Sequence, residues 1–313
     1  MKRFLLRILI VASIIAAVLL ASLLFIPNNK IPDNSLFASH DKHQRLDSLS
    51  SPKIVLVGGS NLPFGIKSEM IEEAIGLPVA DMGLHAGLGM NFILSEVEDN
   101  IHQGDVVIVS FEYHHFLSRT MYNGEDVLAA LLFDVNRDCI SYVKFGQWVS
   151  MIPNICLYAS KKLISISPQK VDDFEDLFTR ESFNKYGDET AHYGMLSTIH
   201  SGDNPALGVT VCNKSMQRLD HFRNFVEAKG AKFMLIACPY PEPQYWKDEE
   251  SIEKIVEAVN NKGLVFLVNP KDCLFPDSLM FNSYFHLSEK GATMRTEQLI
   301  NAMRSHYVDL FKN

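Results

Sequence analysis

Three short stretches of the 313-residue chain hold residue types that together suit acyl transfer: "GGSN" (58–61), "DMGLHAGLG" (81–89) and "YFHLSEKG" (284–291). That chemistry needs a hydroxyl activated by a nearby base, and fixed donors for the oxyanion that develops on the acyl carbonyl. Ser60 offers the hydroxyl, and two glycines before it let a substrate approach the backbone closely. His286 offers the base, and Gly83 offers an unobstructed backbone N–H. Each feature alone has an ordinary reading. A serine after Gly-Gly is usually a turn residue, a histidine before a helix usually flanks it, and a glycine after a strand usually turns the chain.

The elements around these stretches give them a common place. Lys53–Val57, 78–83, 105–113, 232–239 and 264–270 are short apolar, β-prone runs. Helix-period segments lie at 67–76, 91–101, 215–230, 251–263 and 288–307, with Gly76 and Gly230 as C-caps. Strands alternating with helices predict an α/β fold with a parallel five-stranded sheet in a doubly wound three-layer α/β/α sandwich. Ligands in such sheets bind beyond the carboxyl ends of the strands. Ser60, Gly83, Glu112 and the 239–245 loop all fall at such ends. Residues 117–213 mix helical and polar stretches and are placed as an insertion over that edge, in the position of a lid.

At this point the sequence resembles the SGNH (GDSL-like) hydrolase superfamily, whose fold is of this flavodoxin-like type. Gly58-Gly59-Ser60 stands where the family has G-D-S with the serine as nucleophile, so glycine replaces the acidic residue. Asp81-Met82-Gly83 stands for the block whose glycine donates to the oxyanion. Ser283-Tyr284-Phe285-His286-Leu287 stands for D-x-x-H-L with the histidine as base. The ordered blocks span 53–303. The family's G-x-N-D block would put its glycine on Glu112 and its asparagine on His114, so the third oxyanion donor is either missing or supplied by another group, with His114, His115 and the Tyr113 hydroxyl as candidates. The aspartate that orients the histidine is replaced by Ser283, with Asn282 one residue earlier; asparagine orients histidine in Cys-His-Asn proteases. The resemblance implies a catalytic set of Ser60, His286 and Asn282, an oxyanion or substrate set of Gly83, Glu112 and His114, and no cofactor. It implies an esterase or O-acyltransferase acting on O-acetyl groups of a cell-surface or exported polysaccharide. A membrane acyl-transfer partner fits the transferase direction. A catalytically inactive binding or assembly module of a polysaccharide machine is the alternative.

The amino terminus sets the location. Lys2, Arg3 and Arg7 precede "ILIVASIIAAVLLASLLFI" (8–26), which carries no charge. At ~1.5 Å per residue this run spans roughly 28 Å, close to a bilayer core. A secretory signal peptide has an apolar core of only ~7–15 residues and an A-x-A-like cleavage site, neither of which is found here. Residues 1–27 are therefore expected to be an uncleaved anchor, with membrane contact through 4–26 and 28–50 as a polar linker to a domain at 51–313. The preceding basic residues place the amino terminus inside and the domain in the extracytoplasmic space, the periplasm of a Gram-negative cell. A net charge of −8 argues against a nucleic-acid partner. The five scattered cysteines contain no CxxC and leave room for at most two disulfides. No HExxH or paired ligand spacing points to a metal, and "GLHAGLG" lacks the G-x-G-x-x-G of a dinucleotide loop.

Overall fold

The structure of the protein is a computed structural model that describes residues 1–26, 34–164, 179–201, 205–307 and 310. Five of the apolar runs form one parallel sheet: β1 (Ile54–Gly58), β2 (Val79–Asp81), β3 (Val106–Ser110), β4 (Lys232–Ile236) and β5 (Phe266–Val268), in the order β2-β1-β3-β4-β5. Every residue of β1, β2 and β3 is buried. These strands have no solvent face, which is why the first four residues of β1 and of β3 read as unbroken Val, Ile and Leu instead of alternating.

Register decides where the site forms. β1 and β3 run in step from Ile54 beside Val106 to Gly58 beside Ser110. Ser60 and Glu112, each two residues further on, therefore leave the same edge side by side. The strand order also reverses at β1, with β2 on one side and β3 on the other. That switch point is where open α/β sheets leave a crevice. At the opposite edge a buried ion pair fixes the start of both strands: Lys53 Nζ lies 2.8 Å from Asp105 Oδ2, and the Lys53 N–H donates to Asp105 Oδ1 at 3.0 Å.

The helices are α1 (Lys2–Phe25), α2 (Ala38–Ser48), α3 (Ser68–Ile75), α4 (Met90–Ser95), three short ones α5 (His114–Leu117), α6 (Arg119–Asn123) and α7 (Asp126–Ala130), then α8 (Phe145–Ile164), α9 (Asn213–Ala228), α10 (Glu242–Asn260) and α11 (Glu289–His306). α3 ends at Gly76 with φ +77°, a left-handed cap that glycine adopts without penalty. Two boundaries differ from the sequence expectation. The helix expected over 91–101 stops at Ser95; all six residues of α4 are buried, so it lacks the solvent face of an amphipathic helix. α10 starts at Glu242, inside the stretch expected to be a proline-rich loop. Pro241 and Pro243 sit at its start, where a missing N–H costs nothing.

Two organisational expectations need correction. Residues 34–48, read as linker, are a helical turn followed by α2, which buries Ala38, Ser39, Lys42 and Leu46. The Lys42 ammonium donates to the carbonyls of Asp81 (2.9 Å) and Gly187 (2.6 Å), so a residue that reads as polar surface is a buried strut at the β2 edge. Residues 27–33 lie outside the described residues. The described parts of the 117–213 segment are built into the body as well as reaching the expected edge: α7 packs on α8, α8 packs on the end of α1, the Asp81 N–H donates to Tyr186 O at 2.8 Å, laying the 180s along β2, and the Glu189 N–H donates to Pro63 O at 3.0 Å, beside the Ser60 turn. All five cysteines are free thiols. Among the described residues, α1 is the one helix long and apolar enough to cross a membrane, and most of its length is exposed.

Candidate active site

The chain leaves β1 through Gly58 and Gly59 and presents Ser60 at the tip of a tight turn. Neither glycine has a positive φ; close approach explains Gly59. A Cβ there would overlap both carboxylate oxygens of Glu112, which arrives from the end of β3. Glu112 Oε1 accepts from the Asn61 N–H at 3.0 Å. The next layer is a buried polar clamp. Asn61 Nδ2 donates to Ser110 O (3.1 Å), and Ser110 Oγ donates to Asn61 Oδ1 (2.8 Å). Arg295 of α11, 2% exposed, donates from Nη1 to Asn61 O (2.7 Å) and from Nη2 to Asn61 Oδ1 (3.1 Å), Ser110 Oγ (2.9 Å) and Ala237 O (3.1 Å). The guanidinium fork matches acceptors from β1, β3 and β4 at once, a geometry a lysine cannot copy.

His286 meets Ser60 from the loop before α11. The Leu287 N–H donates to Phe64 O at 3.0 Å, tying that loop to the turn that follows Ser60. The His286 ring lies flat on Phe64, with centroids 4.0 Å apart and planes 9° from parallel. Its Nε2 is 2.9 Å from Ser60 Oγ, and its Nδ1 is 2.7 Å from Asn282 Oδ1. The amide oxygen can only accept, so Nδ1 carries the proton and Nε2 presents its lone pair to the serine hydroxyl. Burial, with the nearby His192 and His85 rings adding to it, pushes the His286 pKa down to about 3. The imidazole is therefore neutral and able to take a proton.

The structure thus brings Ser60, His286 and Asn282 into one hydrogen-bonded line. The other residues singled out from the sequence are placed differently. The Gly83 N–H donates to Asp81 Oδ1 at 2.7 Å, closing an Asx turn after β2, so this donor is already engaged. Gly83 is small for packing: a Cβ there would lie 2.7 Å from both Gly59 O and Pro63 Cδ, under the Ser60 turn. Glu112 is an acceptor that holds the Asn61 backbone and lies 3.3 Å from His115 Nδ1, not an oxyanion donor. Tyr113 and His115 are buried, Tyr113 edge-on to Tyr240 and His115 Nε2 2.9 Å from Ala86 O, so both are committed to the interior. His114 is exposed and stands edge-on to Phe285, with ring centroids 5.6 Å apart, on the rim. Among the described residues, nothing accepts from the Ser60 N–H.

The chain matches no family model and no curated protein sequence. The reading of the site therefore rests on its geometry. No group of three or more His, Cys, Asp or Glu able to hold a metal occurs among the described residues.

Sequence reasoning missed Asn61, Ser110, Arg295, Phe64 and the buried His192–Glu189 pair. His192 Nδ1 contacts Glu189, and its Nε2 is 3.0 Å from Leu287 O, next to His286. Arg295 did leave a sequence signal. It falls at helical spacing among Gly291, Ala292, Leu299 and Met303, a charge on a face that is otherwise small and apolar.

Proposed function

We propose that this protein is a membrane-anchored, extracytoplasmic serine-dependent ester hydrolase or O-acyltransferase of the SGNH type, with a three-layer sandwich fold and a Ser60-His286-Asn282 centre. The observation that carries the reading is the line of two hydrogen bonds, 2.9 Å and 2.7 Å, through a neutral imidazole. As Ser60 Oγ bonds to the acyl carbon, its proton passes to His286 Nε2, and the Ser60 N–H donates to the oxyanion. The tetrahedral adduct then collapses, the leaving alcohol takes the proton from Nε2, and Ser60 is left acylated. Water or a sugar hydroxyl repeats the sequence in reverse and frees the serine. Asn282 holds the ring in the tautomer that makes Nε2 the base.

The substrate reading is O-acetyl groups on a cell-surface or exported polysaccharide, with α1 as the anchor and the amino terminus inside. In the alternative, an inactive binding module, Ser60 and His286 are expected to stand apart; their separation of 2.9 Å counts against it. The test is acetate release from an O-acetylated polysaccharide, and from an aryl acetate, by the full chain in nanodiscs. Loss of about 10³-fold or more in Ser60→Ala is expected. A Ser60→Ala rate equal to wild type would overturn the assignment.

A further inference from the structure

The longest described helix of the 117–213 segment has an apolar face that no other described residue covers. On α8, Phe145 is 85% exposed, Val149 54% and Ile152 55%, and Leu157 and Ile164 continue the exposed apolar surface. At 3.6 residues per turn the first three fall within about 60° of arc. The opposite face is in the core through Gln147, Met151, Tyr158 and Lys162. An exposed helix stripe alone says nothing of its occupant, but this one lies beside the seam with α1.

The seam is specific. Ser22 and Leu23 are the two buried residues of α1. Ser22 Oγ donates to Ala159 O at 2.8 Å, and Lys162 Nζ donates to Leu23 O at 3.1 Å while also reaching both Asp134 oxygens at 2.8 Å. α1 has 24 residues, which at ~1.5 Å each gives about 36 Å, one turn more than a ~30 Å hydrocarbon core. With Lys2 and Arg3 at one interface, the Ser22–Phe25 turn emerges at the other. The two hydrogen bonds then hold the Ala159–Lys162 turn of α8 at the height of the lipid headgroups, with the Phe145–Ile152 stripe on the same helix about two to four turns toward its start.

We infer that the Phe145–Val149–Ile152 face of α8 lies in the outer surface of the bilayer, a second membrane contact beside the anchor. One apolar span by itself leaves a domain free to turn about it. A span hydrogen-bonded to a helix that also rests on the lipid fixes the orientation of the domain, and so which way the carboxyl edge of the sheet, with Ser60, faces. Apolar residues on one face of an interfacial helix sink to the headgroup–acyl boundary.

This inference rests on α1 being a membrane span, and the test separates the two. Spin labels are placed singly at Val149, Ile152, Ile14 and Val265 of the full chain, in a Cys156→Ser background, in phosphatidylcholine–phosphatidylglycerol nanodiscs. Collision with oxygen and with a water-soluble nickel complex is then measured. The label at Ile14 reads oxygen over nickel if α1 spans the bilayer; an aqueous reading there removes the anchor itself. With Ile14 in lipid, the expected result is that the Val149 and Ile152 labels shift toward the Ile14 ratio. Val265 is 70% exposed but precedes β5, and its label should stay aqueous. Aqueous readings at Val149 and Ile152 would overturn the inference. So would labels shielded from both reagents, which would mean that a protein surface covers the stripe.

Discussion

The Glu112 carboxylate occupies the space that any side chain at Gly59 would need. The two residues sit just past the ends of neighbouring strands, β1 and β3, whose in-step register brings the turns together. In the family that the sequence resembles, the acidic residue stands at the position of Gly59 and a glycine at that of Glu112. The proposed reading is that the carboxylate is supplied from the facing turn and still holds the backbone beside the serine.

Gly59→Asp is therefore expected to destabilise the fold by about 3 kcal/mol, through overpacking and the apposition of two acids. Adding Glu112→Gly should recover most of that loss. Thermal unfolding of the wild type and the two variants measures it. A Gly59→Asp protein as stable as wild type would contradict the packing account.

Asn282 fixes the tautomer of the proposed base, while burial and two neighbouring rings set its pH range. Among the described residues no carboxylate pairs with His286, and its pKa is held down to about 3 by burial and by two neighbouring rings. The active, neutral form is present above that pKa and lost as pH falls through it. The value of kcat/KM should therefore stay flat on acidification through pH 6.5 and fall only far below it. An aspartate at 282 would favour the imidazolium that forms in the transition state. Asn282→Asp should raise kcat/KM about tenfold and move the acid limb upward; Asn282→Ala should lower it by about the same factor. A pH–rate profile of the three proteins checks both shifts, and an acid limb near pH 6.5 in wild type would refute the desolvated-base account.

Arg295 touches no reacting atom and acts through the Ser60–Asn61 turn. Arg295→Met leaves the Asn61 carbonyl buried without its side-chain donor and Ala237 O with only the weak Cys273 thiol, and should cost about 3 kcal/mol. Arg295→Lys keeps the charge but not the fork. It should unfold later than Arg295→Met yet lower kcat more than it changes KM, because the serine is displaced while the rim is left intact. Calorimetry and steady-state kinetics on the pair separate positioning from plain stability.

The sheet was legible because buried parallel strands advertise themselves as continuous apolar runs, and the Ser60 and His286 loops because both follow the alternation of strands and helices. Asn282 was visible only as a neighbour of the expected aspartate position. The clamp was not legible: Asn61, Ser110 and Arg295 lie far apart in the chain and meet only through the crossover order of the sheet. Gly83 was misread because a glycine after a strand serves equally as a donor and as a spacer, and only its bond to Asp81 and its contact with the Gly59 carbonyl decide between them. α2 was hidden by its composition. Lys42 and its charged neighbours suggest a solvated linker, whereas the Lys42 stem runs inward to cap two carbonyls.

The most direct measurement of the central claim is covalent labelling of the full chain in nanodiscs with a fluorophosphonate, followed by peptide mass spectrometry. The account predicts a single adduct on Ser60, forming at least about 10²-fold more slowly in His286→Ala, since the general base is needed to activate the hydroxyl. An unlabelled Ser60, or equal labelling rates with and without His286, would contradict it.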